Sequence, residues 1–205
     1  MLDLSQKLED VLTIGGREWP LHLSFDNVLR LFEMWHDREI ADEIKPYLAL
    51  KMLLIKADEA EVNEFLKQLD IESAIELYLA IFNEHISPNA QEETIEYDLA
   101  GNPMRKPKTQ KGEPEAKERT FSLKYDADYI YSSFLQAYKI DLIEVQGKLH
   151  WQKFKALLNG LPDNTKFIEV IKIRTWKEQK GDSQKYKEQM KRLKKEYALP
   201  EDVEY

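Results

Sequence analysis

The sequence predicts a mostly α-helical fold: a multi-helix bundle with a small N-terminal β-hairpin and a long flexible internal loop. Three observations point there. Apolar residues recur at helical spacing in segment after segment, as in Phe25, Val28, Leu29, Phe32 and Trp35. Glycine is scarce, at 7 of 205 residues, which argues against a turn-rich all-β fold. Four of the eight prolines fall within residues 88–120, a stretch almost without bulky apolar side chains. A chain of this length buries roughly 70% of its extended surface on folding, so its core needs no staple.

The elements follow in order. In "VLTIGGREWPLHL" two apolar runs flank Gly15-Gly16, the turn dipeptide of a tight hairpin. Leu21 and Leu23 alternate with His22 at strand period. Ser24 stands where an N-cap belongs, ahead of the helix "FDNVLRLFEMWHDR". A second helix fits residues 42–56. Leu48, Met52 and Ile55 are its clearest apolar positions, and Leu50, Leu53 and Leu54 widen the face. A helix apolar over more than half its circumference belongs in the centre of the core. "EAEVNEFLKQLD" and "IESAIELYLAIFNEHI" give a short helix and a longer one.

Residues 88–120 cannot bury enough surface to offset their ordering entropy, so they read as a linker. Order returns at Phe121 with a short extended run. Asp126 is placed to cap a helix whose face is Ile130, Phe134 and Tyr138, with Tyr131 and Leu135 beside it. "LHWQKFKALLNGLP" is a helix with Leu149, Phe154, Leu157 and Leu158 inward, stopped by Gly160 and Pro162. Asn164 or Thr165 starts "KFIEVIKIRTW". A last helix, "SQKYKEQMKRLKKEYAL", ends at Pro200. Its thin face of Tyr186, Met190, Leu193 and Tyr197 makes it peripheral. The expected organisation is an N-terminal lobe of hairpin and helices (1–87), a linker (88–120), a C-terminal helical lobe (121–199) and a tail (200–205). The two lobes are free to pack as one domain.

Charge is unevenly spread. The net charge is −8, yet residues 1–99 carry 22 acids against 8 Lys or Arg, while residues 166–196 carry 11 Lys or Arg against 5 acids. Such a split favours attraction between the halves, within one chain or between copies, or a basic patch for an anionic partner.

Little in the chain is equipped for chemistry. The absence of cysteine excludes disulfides, thiolate metal sites and a Cys nucleophile, and it suits a reducing compartment. There is no glycine-rich phosphate loop and no serine elbow. The four histidines, at 22, 36, 85 and 150, never fall three or four apart, so no metal site is expected. Asp126 and Asp128 form a D-x-D, better read as a cap plus a first-turn acid than as a metal or acid–base pair. No catalytic residue, cofactor or metal is expected, and the chain is not read as an enzyme. The N-terminus is acidic and lacks the apolar run of a signal peptide. "YLALKMLLI" is interrupted by Lys51 and too short to span a bilayer. The expectation is a soluble, cytoplasmic protein without a membrane partner.

Residues 149–176 interleave aromatic and aliphatic side chains with lysines. Lys153, Lys155, Lys172 and Arg174 with Trp151 and Trp176 are the residue types that bind nucleic acid, phosphates on the cations and bases on the rings. On a helix, however, the aromatics fall on the apolar face and the lysines opposite. That is the pattern of a core helix with a solvated side, and it demotes the nucleic-acid reading to an alternative. Arg174 also suits a buried ion pair, with the acidic front half as its partner.

Several blocks resemble one known family. "FSLKYDADYIYSSFLQAYKIDL", "LHWQKFKALLNGLPDNTKF", "IRTW" and a Lys-rich helix ending "KKEYALP" follow one another as in the bacteriophage gene-product-fifteen family of siphophages and prophages. "FDNVLRLFEM" and "IKPYLALKMLLI" extend the resemblance over nearly the whole chain. The resemblance implies a place in the phage tail module and the role of a tail assembly chaperone or scaffold. Such a protein binds the tape-measure protein, and the tail tube protein, in the host bacterial cytoplasm and is absent from the mature virion. Partner contact is assigned to Trp151, Phe154, Arg174 and Trp176, with core packing the competing role for each.

Overall fold

The computed structural model describes residues 4–5, 8, 10–55, 57–87, 96–97, 103–104 and 120–200. It is mostly α-helical, as the sequence predicts, with eight α-helices and a two-stranded N-terminal hairpin among these residues. The flexible linker expected at 88–120 lies outside the described residues, apart from Thr120 and a two-residue pairing of β3 (Glu96–Tyr97) with β4 (Pro103–Met104).

The hairpin pairs β1 (Val11–Ile14) with β2 (Arg17–Pro20), Ile14 opposite Arg17. Gly15 and Gly16 both have positive φ, at 58° and 79°, the left-handed conformations that a two-residue primed turn requires. Trp19 turns inward and meets the Phe65 ring at 5.0 Å. Beyond Pro20 the chain stays extended but pairs with helix ends rather than with another strand. The His22 amide donates to Leu53 O at 2.7 Å, and Leu23 O accepts from the Trp151 amide at 2.7 Å.

Helix α1 (Phe25–His36) buries Phe25, Val28 and Leu31, with Leu29, Phe32 and Trp35 half-buried. Ser24 is its N-cap by backbone conformation, but its hydroxyl lies 3.0 Å from the His22 ring instead of capping an amide. Helix α2 (Lys45–Leu53) is shorter than expected and sits centrally. Its buried face is Ala49, Leu50 and Leu53, continued by Leu54, while Leu48 and Met52 are half-buried and Ile55 is exposed. So wide an apolar face does not fix the helix's rotation. Asn27 of α1 does so in part, donating to Met52 O at 3.0 Å and to His22 O at 2.8 Å.

Asp58 and Asp70 cap α3 (Glu59–Lys67) and α4 (Ile71–Ile81), accepting from the amides of Glu61 and Ser73. A π-helical turn, Phe82–Ile86, extends α4. The run expected to be extended after Phe121 is a turn, closed by the Asp126 amide on Ser122 O at 3.0 Å. Helix α5 (Ala127–Tyr138) buries Ile130 and Phe134 but leaves Leu135 exposed. Helix α6 (Trp151–Asn159) ends at Gly160, whose φ is ordinary. Glycine serves close approach there: a Cβ would meet Ala156 O at 3.2 Å and the Tyr138 hydroxyl at 3.4 Å.

Helix α7 (Lys166–Thr175) starts at Thr165, and its Phe167 amide is satisfied by the Ser133 hydroxyl of α5 at 3.0 Å. Helix α8 (Gln184–Glu196) has no buried residue, in keeping with its expected peripheral place. One hydrophobic core runs through both ends of the chain, from Trp19 to Phe167. Its centre is an aromatic stack on Phe154, with Phe25 at 4.9 Å, Phe134 at 5.3 Å and Trp151 at 5.7 Å.

Candidate partner-binding surface

The four residues assigned to partner contact do not converge. Trp151 and Phe154 are buried core residues and present almost no surface to another protein. Trp151 starts α6, and its indole N–H donates to Ile86 O at 2.9 Å, tying α6 to the π turn. Trp176, at the end of α7, is half-buried and meets Tyr186 of α8 edge-on at 6.1 Å.

Arg174 does form a buried ion pair, but its partner is Asp126 and not the acidic front half. Nη1 and Nη2 each donate to a carboxylate oxygen at 2.7 Å. Asp126 is fully buried, and its Oδ2 also accepts from the Ser122 amide at 2.9 Å. Arg174 donates further to Tyr197 O at 2.6 Å and Thr120 O at 3.2 Å. The Asp126 side chain therefore caps nothing in α5: both its oxygens are taken up by Arg174 and Ser122. A planar guanidinium with this many partners joins the turn before α5, the end of α7 and the segment after α8.

A second cluster was not foreseen from the sequence. Asp10, His85 and His150 meet where the hairpin, the π turn and the start of α6 come together. Asp10 Oδ2 lies 2.5 Å from His150 Nε2, and Oδ1 lies 3.3 Å from His85 Nδ1. His150 Nδ1 accepts from the Gln152 amide at 3.0 Å, capping α6, which places the ring proton on Nε2, facing Asp10. Burial alone would raise the Asp10 pKa, but hydrogen bonds from His150 and His85 hold it well below the usual carboxylate range. The hydrogen bond to Asp10 raises the His85 pKa, against the opposing effect of burial. Three residues 75 and 65 positions apart leave no local spacing to read; only the fold brings them together. Among the described residues no group of His, Asp or Glu is arranged to hold a metal.

The His85 shift has a consequence for stability. A folded-state pKa raised above the unfolded value adds stability below about pH 6.5 that is lost as pH rises through the folded value. Urea midpoints of the wild type are expected to fall between pH 6 and pH 8.5, and a His85→Asn variant to flatten that slope. Equal slopes in the two proteins would remove His85 as the cause.

Among the described residues an apolar groove opens on the surface. One stretch, of about 460 Å³, has Phe25, Ile130, Leu142 and Phe154 among its lining residues, with Asp128 and Gln146. An adjoining stretch of about 380 Å³ includes Phe32, His36, Phe121 and Lys124. The two share Leu29 and Leu123. Phe154 thus takes part as floor. Ile143, 66% exposed, and Phe121, 39% exposed, stand on the walls. No described helix is long and apolar enough to cross a membrane.

No curated protein and no solved structure matches the chain. A family model described as Bacteriophage Gp15 protein matches residues 4–199. The match covers the hairpin, all eight helices and both clusters described above, and the chain belongs to the bacteriophage Gp15 protein family.

Proposed function

We propose that this phage protein is a non-enzymatic tail assembly chaperone or scaffold that binds the tape-measure protein, and the tail tube protein, in the host cytoplasm during tail morphogenesis. The observation that carries the reading is the groove between α1, residues 121–124 and α5. Its apolar floor and half-open shape suit the apolar row of an amphipathic helix, the kind of segment a long coiled-coil partner offers. Folded and aggregation-prone states of such a partner differ in exposed apolar surface, and a groove that covers this surface favours the dispersed state. The Asp126–Arg174 pair anchors the turn at Ser122 beside the groove, and the aromatic stack lies beneath its floor.

Co-expression with the tape-measure protein tests the reading, with a DNA gel shift as control. The tape measure is expected to become soluble and to co-purify. Ile143→Glu, on an exposed wall residue, is expected to leave folding intact and weaken capture by roughly tenfold, the loss of about 1.4 kcal/mol of interface energy. A tape measure that stays insoluble and unbound, together with a salt-sensitive DNA shift, would overturn the chaperone reading in favour of nucleic-acid binding.

A further inference from the structure

We propose that copies of this chain associate head to tail, the acidic, apolar face of α4 on one copy receiving the basic helix α8 of the next. This rests on the surfaces alone and is independent of the tape-measure reading.

Folding offers a chain with opposite charges at its two ends the chance to neutralise them internally. Among the described residues every Lys or Arg ion pair closes within its own half: Arg17–Glu61 and Lys51–Glu59 in the first, Arg174–Asp126, Lys172–Asp163 and Lys187–Glu178 in the second. Among the described residues, the acids Glu72 and Glu76 of α4 and the bases Lys185, Arg192, Lys194 and Lys195 of α8 are left exposed.

Helix α4 buries Ala74, Tyr78 and Ile81, and shows a second apolar row flanking that face. Ile71, Ile75 and Leu79 are 37%, 39% and 47% exposed, spaced four residues apart on one helix face. Glu72 and Glu76 run beside them, with no ion pair among the described residues. Two carboxylates four apart repel each other, and a cation laid between them relieves that cost. Helix α8 supplies the complement. None of its residues is buried, and Lys185, Arg192, Lys194 and Lys195 have no ion pair among the described residues. Tyr186 packs edge-on against Trp176, so the aliphatic stems of these cations supply the apolar contact. The two helices are of similar length, 11 and 13 residues.

Because α4 and α8 are different surfaces, their contact is heterologous. It produces rings if the rotation closes and open chains if it does not. A single pair of helices this short covers less than the ~800 Å² per partner of a standard interface, so the contact is weak and electrostatic. Salt at 1 M, with a Debye length of about 3 Å, screens it.

Sedimentation velocity on the full chain tests this. Over about 10–500 μM, the range of a weak interface, the average mass is expected to rise with concentration at low salt and to fall back at high salt. An E72K/E76K variant and a K194E/K195E variant, all at exposed positions, are each expected to stay monomeric. Mixed, they are expected to associate again, since the unaltered α4 of the second variant still meets the unaltered, basic α8 of the first. A charge-neutral variant, Ile75→Ser, is expected to weaken association about tenfold through the lost apolar contact. A wild type that stays monomeric throughout would overturn the proposal, as would variants whose mixture does not restore association. A monomeric wild type whose salt-sensitive DNA shift is abolished by K194E/K195E would make α8 a nucleic-acid surface and end the proposal equally.

Discussion

Asp126→Ala is expected to destabilise the fold by about 3–5 kcal/mol, the cost of leaving one member of a buried ion pair without its partner. Asp126 is fully buried and holds Arg174 through two 2.7 Å bonds, so the variant strands a guanidinium whose side chain is only 10% exposed. It also removes the carboxylate oxygen that accepts from the Ser122 amide. For a chain of this length each kcal/mol moves Tm by roughly 2–4 °C, so a fall on the order of 10 °C is expected in thermal melts followed by circular dichroism. Asp128, two residues on and exposed, is the control. Its removal forfeits only a favourable first-turn charge, worth at most about 1 kcal/mol. Replacing both members, Asp126→Leu with Arg174→Met, is expected to recover most of the loss, because no charge is then left uncompensated. Equal effects of the Asp126 and Asp128 variants would return Asp126 to a capping role.

Phe154→Ala is expected to cost a similar amount, about 3–5 kcal/mol, as a large-to-small change at a closed site. Phe154 is stacked on Phe25, Phe134 and Trp151, from α1, α5 and α6, with interplanar angles of 15°, 19° and 19°. Its removal breaks three ring contacts, each contributing about 0.5–1.5 kcal/mol beyond simple burial. It also deepens the groove of which Phe154 is the floor. Trp176→Ala, at a half-buried position with one edge contact to Tyr186, is expected to cost far less. Urea denaturation of the two variants separates core from surface. A Phe154→Ala protein of undiminished stability that nonetheless failed to capture its partner would make Phe154 a contact residue after all.

The groove and the two polar clusters were illegible in the sequence for a common reason. Arg174 was recognisable as a candidate for a buried pair, because an arginine amid aliphatic residues needs a partner. Nothing local indicated that the partner would be Asp126, 48 positions away. Asp10, His85 and His150 carried no signal, since metal-type or triad-type spacing is a local pattern and theirs is not. Trp151 and Phe154 could be placed on the apolar side of α6. Whether that side faced the core or a partner depended on α1 and α5 arriving against it.

What the sequence determined by itself was everything governed by short-range physics. Gly15-Gly16 made the hairpin turn because only glycine takes two successive left-handed conformations cheaply. Asp58, Asp70 and Ser183 sit at helix starts and cap them with their side chains. The 3.6-residue period located the helices, and the thin apolar face of α8 marked it as peripheral. The tertiary structure alone decided rotation and partnership. Helix α2 is apolar over more than half its circumference, so its rotation, with Leu50 and Leu53 inward, is fixed in part by Asn27 and His22 binding its backbone carbonyls. Ser24 and Asp126 occupy N-cap positions, yet their side chains bond elsewhere, because a nearby ring and a buried guanidinium offered stronger partners. Periodicity specifies that a face is apolar; what covers it, and which distant charge a buried carboxylate meets, is settled by packing between segments far apart in the chain.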